Sequence, residues 1–368
     1  MTDKIWGKKN SEPFLRIARR DDIGKRKAWL IRIAALVFSL LLCGIFVFIV
    51  KRANPLELYR DMFMGTFRSE KKIMATLMYI APLLCVGIAL APAFKMRFWN
   101  IGGEGQVLIG AFAATFFAVR FNSVMSAPVL LIVMFLAAIV AGAVWGLIPA
   151  LFRAFWDTNE TLFTLMMNYI ALNIVLLAEE IWRGKNTVMG LIPKKAWLPK
   201  LFGLNFLLPV IFVILLALLM NFYLKYTKHG YEISVVGESH NTARYAGISM
   251  KKVIARTIAI SGAICGFCGF IIVSGIDHTL SGNTAGGRGF TAIIVAWLAK
   301  FNTIYMLMTA ALLVFLDNAA SELSTTLGLH TSISKVMSGI ILFCILGSEF
   351  FLNYRLIFRS SKPAKEAE

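Results

Sequence analysis

Charge is scarce in this sequence. Only 16% of its 368 residues are Asp, Glu, Lys or Arg, against about 25% in an average soluble domain. Polar surface is correspondingly short, because 58% of the chain is hydrophobic and the mean hydropathy is +0.72. Those figures exclude intrinsic disorder, collagen, coiled coil and a small disulfide scaffold. The chain also lacks the G-x-x-x-x-G-K-S/T phosphate loop, so it does not bind ATP in the usual way. G-x-S-x-G and H-E-x-x-H are missing too. The four histidines, His229, His240, His278 and His330, are scattered over separate loops, a poor arrangement for a metal. No metal site and no cofactor are expected.

Cysteine is sparse. Cys43, Cys85, Cys265, Cys268 and Cys344 all fall in apolar blocks. Cys265-Gly-Phe-Cys268 has the spelling of a redox or zinc site, but such sites need an accessible thiolate in polar surroundings. Here the neighbours are Ile-Ser-Gly-Ala-Ile and Gly-Phe-Ile-Ile-Val. Small residues that let helices approach closely are the better reading.

What the chain has in abundance is long apolar runs, and about 20 such residues cross a bilayer. Ten segments stand out: Ile33–Val50, Ile73–Phe94, Val107–Val119, Ala127–Phe152, Leu162–Ala178, Phe206–Leu224, Ile258–Gly275, Phe290–Ala299, Ile304–Ala320 and Lys335–Leu352. The expected fold is an all-α polytopic membrane protein of about ten segments in two related halves. The third and eighth segments are too short to cross alone. Lys and Arg number 38 against 20 Asp and Glu, a net charge of +18. In a polytopic protein that excess belongs in cytoplasmic loops facing anionic lipid, and nucleic-acid binding is not expected. Residues 1–32 read as a basic tail that their Lys and Arg place in the cytoplasm, and the first apolar run as a retained span, since no small-residue cleavage site follows it. Residues 33–354 form the membrane domain and 355–368 a second cytoplasmic tail. Residues 51–72 read as an outer loop with a short surface helix, 179–205 as the largest outer loop and 225–257 as a basic cytoplasmic loop.

Both short segments follow a Gly-Gly-x-Gly sequence, residues 102–105 and 286–289. Short, Gly-interrupted segments in corresponding halves point to a transporter's binding site. Backbone that leaves helical geometry at membrane depth is tolerated beside a cavity or buried in protein.

Four motifs carry a resemblance. Asn100-Ile-Gly-Gly-Glu-Gly-Gln106, following Ala-Pro-Ala-Phe, resembles the N-I-G-x-E-G-Q signature of bacterial nucleoside-type ABC importer permeases, within the simple-sugar and branched-chain amino acid permease superfamily. Asn159-Glu-Thr161 with Thr164-Leu-Met-Met-Asn168-Tyr-Ile-Ala171 resembles their N-E-x-x-x-T-L-M-x-N-Y-I-A segment. Ala243-Arg-Tyr-Ala-Gly-Ile248 resembles their coupling loop, and Gly287-Arg-Gly-Phe-Thr-Ala-Ile293 their G-x-G-F-T-A-I segment. The likeness runs from about residue 55 to 350. It implies an importer that works by alternating access, and that two permease subunits, commonly different chains, form the channel. A separate ABC ATP-binding subunit drives it, and an extracytoplasmic lipoprotein delivers substrate. The location implied is the bacterial cytoplasmic membrane; the basic flanks and the even number of segments put both termini in the cytoplasm. The chain itself is expected not to be an enzyme.

A short helix over Ser239–Ile248, capped by Ser239 or Asn241 and stopped near Gly247, could dock on the ATPase. Arg244 and Tyr245 are its natural anchors, with Ala246 beside them. For the substrate path the candidates are Asn100, Gly102, Gly103, Glu104, Gln106, Asn168, Arg288 and Asp317. Polar groups in apolar spans face a bundle interior or a wet cavity. Asn318 is a further path candidate. Glu104 and Arg288 hold matching places in the two turns and invite an ion pair. Phe98, Trp99 and Trp156 could stack a base or anchor span ends in the interface. Nucleosides or a related small polar solute are the expected substrates, with simple sugars as the alternative. An ion-coupled carrier would need mid-span carboxylates, and a membrane-embedded transferase a catalytic constellation; neither pattern stands out.

Overall fold

The structure, a computed structural model, describes residues 15–20, 23–52, 59–60, 67, 69–184, 186, 189–205, 207–326 and 331–358. Most of the expected outer loop before residue 69, His330 and the outer parts of both basic tails lie outside the described residues. Among the described residues nine helices are long and apolar enough to cross a membrane. Two compact units are present, one made of residues 1–62 with 323–368, the other of residues 63–322.

The smaller unit joins the two ends of the chain. Helix α1 (Lys25–Lys51) packs on α12 (Thr331–Asn353). Strand β1 (Leu15–Arg19) pairs antiparallel with β2 (Tyr354–Phe358), Leu15 facing Phe358 and Arg19 facing Tyr354. Arg32 donates to Glu349 at 2.8 Å between the two helices. The strands were not expected from the sequence, where both segments read only as basic tails.

The larger unit contains α2 (Glu70–Lys95), α3 (Gly103–Phe121), α4 (Ala127–Trp156), α5 (Glu160–Arg183), α6 (Leu207–Tyr226), α7 (Lys228–Glu238), α8 (His240–Tyr245), α9 (Met250–Ile271), α10 (Arg288–Leu298) and α11, which starts at Thr303. Its centre is α9, continued by a π-helical turn at Ile272–Ile276; 78% of its apolar window is buried. The reason lies in its glycines. A Cβ on Gly266 would press on the Ala138 carbonyl and stand 3.2 Å from Gly142 Cα. Bare backbone on both sides lets α9 and α4 approach closely, as small residues do in membranes where lipid already satisfies apolar surface. Cys265 and Cys268 sit fully buried on this helix, and the Cys268 thiol lies 3.5 Å from the Pro82 carbonyl of α2.

Two expectations change. Val107–Val119 is not a short segment: it is the apolar part of α3, which has 19 residues and starts inside the Gly-Gly-Glu-Gly motif. Residues 225–257 are not an open loop either. They hold the end of α6, then α7, α8 and the first turns of α9, with Thr227 capping α7 through the Gly230 amide at 3.1 Å. The eighth segment does stay short. Helix α10 has 11 residues, about 16 Å at 1.5 Å per residue. Residues 277–287 supply the rest of that crossing, with Leu280, Thr284 and Ala285 buried. They run from the Met189–Leu198 strip, where the His278 carbonyl accepts the Ile192 amide at 2.8 Å, back toward the end of the bundle that carries α7.

Candidate functional site

The two Gly-Gly-x-Gly motifs meet. The Glu104 carboxylate, in the first turn of α3, accepts the Gly287 amide on one oxygen and the Gly289 amide on the other, both at 2.7 Å. Those amides open α10, whose N-cap Gly287 has φ +76°. The first amides of a helix have no partner within it and carry the positive end of its dipole. A carboxylate from another helix therefore closes an end of α10 that would otherwise be left open in the apolar zone. Gly289 has to be glycine for this: a Cβ there would stand 2.7 Å from Glu104 Cα.

No ion pair between Glu104 and Arg288 forms among the described residues. Arg288 turns back and donates to the Thr284 carbonyl at 3.0 Å. Its guanidinium also lies 5.8 Å from the Tyr79 ring centroid. Tyr79 of α2 is half-exposed. One turn earlier Thr76 accepts from Asn318 of α11 at 3.0 Å. Asp317, beside Asn318, is exposed. Tyr79 and Thr76 were missed because each sits alone in an apolar run.

Asn100, Gln106 and Asn168 are buried together in a hydrogen-bond network. The Asn100 amide oxygen accepts the Gly102 amide at 3.0 Å and the Gln106 side chain at 3.3 Å, while its nitrogen donates to Ser261 of α9 at 3.3 Å. Asn168 of α5 accepts the Gly105 amide at 2.8 Å and donates to the Ile101 carbonyl at 2.9 Å. Thr164, a turn earlier, accepts the Ile101 amide at 3.2 Å. Buried backbone groups need partners, and these side chains answer the amides and carbonyls at the start of α3. Gly102 and Gly103 are buried within the same packing. The network thus holds the helix that carries Glu104. The motif spelling located it, but the roles of Thr164 and Ser261 were not readable from sequence.

At the other functional region, Ser239 caps α8 by accepting the Thr242 amide at 3.3 Å. Gly247 ends it with φ +70°. Ala243 is buried, while Asn241, Arg244, Ala246 and Gly247 are exposed and Tyr245 is 94% exposed. The helix is footed on α7 and α9, which are joined by Arg256 and Glu232 at 2.7 Å. That hydrogen bond holds the Glu232 carboxyl below its ordinary value of 4.5.

A bundle of membrane-length helices with a broken crossing, a polar junction at the break and a small exposed helix at one end suits a transport subunit. Comparison with known proteins carries this further. Residues 72–346 match the family described as branched-chain amino acid transport system / permease component. The chain belongs to that family, and it is a transmembrane permease subunit of an ABC importer. ATP hydrolysis in such systems lies on a separate ATP-binding subunit, with which the permease works. The chain is 30% identical to the glucose ABC transporter permease protein of Haloferax volcanii, over 87% of this chain and 88% of that one. It is 30% identical to a nucleoside ABC transporter permease protein of Lactococcus lactis, over 93% and 97%. With a guanosine ABC transporter permease protein of Bacillus subtilis the identity is 28%, over 87% and 93%. No solved structure matches the chain.

Proposed function

We propose that this permease imports nucleosides across the cytoplasmic membrane of a bacterium. It pairs with a second, different permease chain and receives substrate from an extracytoplasmic lipoprotein. The names of the lactococcal and bacillar relatives support the substrate class, as does the run of four nucleoside-type motifs. The glucose permease relative favours a second reading, a simple sugar; hydroxyls are common to both. Both termini and the α7–α8 end face the cytoplasm. The path runs past Glu104, Arg288 and Asp317, while Asn100, Gly102, Gly103, Gln106 and Asn168 hold the wall from behind.

The observation that carries the coupling reading is α8 itself. It is a capped helix on a braced base, with Arg244 exposed and Tyr245 94% exposed among the described residues. Arg and Tyr are prominent among interface residues that dominate binding. Its test is Arg244→Glu and Gly247→Pro in the assembled importer. Proline cannot adopt φ +70°, so the end of α8 must move. Both variants are expected to assemble yet lose most substrate uptake while ATP turnover continues. Wild-type uptake in both would refute the docking role. Competition of labelled guanosine uptake by unlabelled nucleosides and by glucose decides between the substrate classes.

A further inference from the structure

The α7 end of the larger unit contains a double cavity that none of these roles uses. One lobe, of about 510 Å³, is walled by Phe94, Trp99, Trp297 and Phe301. The Trp99 and Trp297 rings lie 5.5 Å apart at 22°, and both remain half-exposed. The second lobe, of about 200 Å³, shares Lys95 and Phe301 with the first and adds Lys225 and Lys300. No acidic side chain lines the smaller lobe, and among the described residues none of the three lysines has an ion-pair partner. Lys95, Lys225 and Lys300 all line that one lobe.

Two further features make this a built site. Thr303 lines the smaller lobe and is 1% exposed, and its buried hydroxyl has no partner. Buried hydroxyls are ordinarily satisfied. The backbone at Lys300 and Phe301 is left-handed, with φ +49° and +59°, a conformation that costs non-glycine residues energy and concentrates at functional sites. Three unpaired cations and a free hydroxyl suit a phosphate; the stacked tryptophans beside them suit a flat ring. Glu238, on the rim of the aromatic lobe, suits a donor such as a ribose hydroxyl or a base amine.

We propose that the double cavity is a regulatory site for a nucleoside monophosphate, taken up from the side that carries α8. This rests on the reading of the chain as a nucleoside importer whose α8 end is cytoplasmic. Enzymes that phosphorylate an imported nucleoside, with a nucleoside triphosphate as phosphoryl donor, convert it to an anionic monophosphate that cannot leave, and that anion is the chemistry the cavity fits. Gly237 packs against the Lys95 carbonyl, and Glu238 is one residue before the Ser239 cap of α8. A ligand gripping both lobes therefore ties the ends of α2 and α10 to the base of the docking helix, opposing its movement.

The test uses the full chain in phosphatidylcholine nanodiscs without ATP, read by tryptophan emission. AMP should quench saturably and adenosine only weakly. Lys300→Gln and, independently, Thr303→Ala should weaken AMP binding, Lys300→Gln by about tenfold, the loss of one charge-assisted contact. In the assembled importer, AMP on the ATPase side should slow uptake by the wild-type chain but not by Lys300→Gln, whose uptake without AMP stays unchanged. Absence of saturable quenching, or equal quenching in both variants, overturns the site. Quenching by phosphatidylglycerol discs but not by AMP assigns the cavity to lipid phosphate and also overturns it. If AMP quenches as expected while the wild-type importer carries no nucleoside, the site stands and the substrate reading falls.

Discussion

Residues 102–105 and 286–289 are spelled almost alike and end up doing opposite things. In the first motif Gly103, Glu104 and Gly105 wind directly into a full-length helix, because Asn100 and Asn168 answer the backbone around them. In the second, Gly286 and Gly287 take φ +59° and +76°, a turn that halts the chain before an 11-residue helix. The difference lies in the x position. Glu104 reaches across to the other motif, whereas Arg288 folds back on its own turn. A Gly-Gly-x-Gly sequence permits a break, and the neighbouring donors and acceptors decide whether one forms.

The sharpest way to break the comparison is an added methyl group in the second motif. Gly289→Ala should be severe, at about 3 kcal/mol, because its Cβ meets Glu104 backbone that cannot yield; little folded protein and no uptake are expected, scored by a detergent-resistance unfolding assay. Equal stability to wild type would mean that the motifs do not meet. Glu104→Gln comes next. The amide keeps one acceptor oxygen and loses the charge, so the α10 end forfeits about 2 kcal/mol, visible as a lower denaturation midpoint and as faster hydrogen exchange at Gly289. Unchanged exchange there would remove Glu104 from the junction.

A smaller effect separates this junction from the base of α8. The Glu232 carboxyl is held below 4.5 by the Arg256 hydrogen bond. A depressed carboxylate contributes stability that is present above the unfolded value and is lost as pH falls through the folded one. Stability should therefore fall below pH 4.5 by up to about 1 kcal/mol, and Glu232→Gln should flatten that part of the profile in a pH series of unfolding curves. A profile unchanged by the substitution would refute the pairing.

Much of this was legible beforehand. The apolar runs located the long helices to within about eight residues at either end, since few other arrangements satisfy twenty apolar residues. Ser239 and Gly247 marked both ends of α8 because caps are local chemistry. Val107–Val119 was read short for a specific reason: Gly103 to Gln106 look like turn residues when only neighbours along the chain are considered. Their helical state depends on Asn168 and Thr164, more than fifty residues away. The strand pair β1–β2 was invisible for the same reason, being a match between the two ends of the chain.

By itself the sequence determined the membrane class, the count of apolar helices, the caps of α8 and the motifs that mark the family. Each of these is local, set by side-chain volume, hydropathy and hydrogen bonds within a few residues. Tertiary structure alone decided that Glu104 serves α10 rather than Arg288, that Asn100 and Asn168 are buried supports, and that Lys95, Lys225 and Lys300 share one cavity. Those outcomes depend on which helices lie side by side, and close packing of α9 through its glycines against α4 determines that only once the chain has folded.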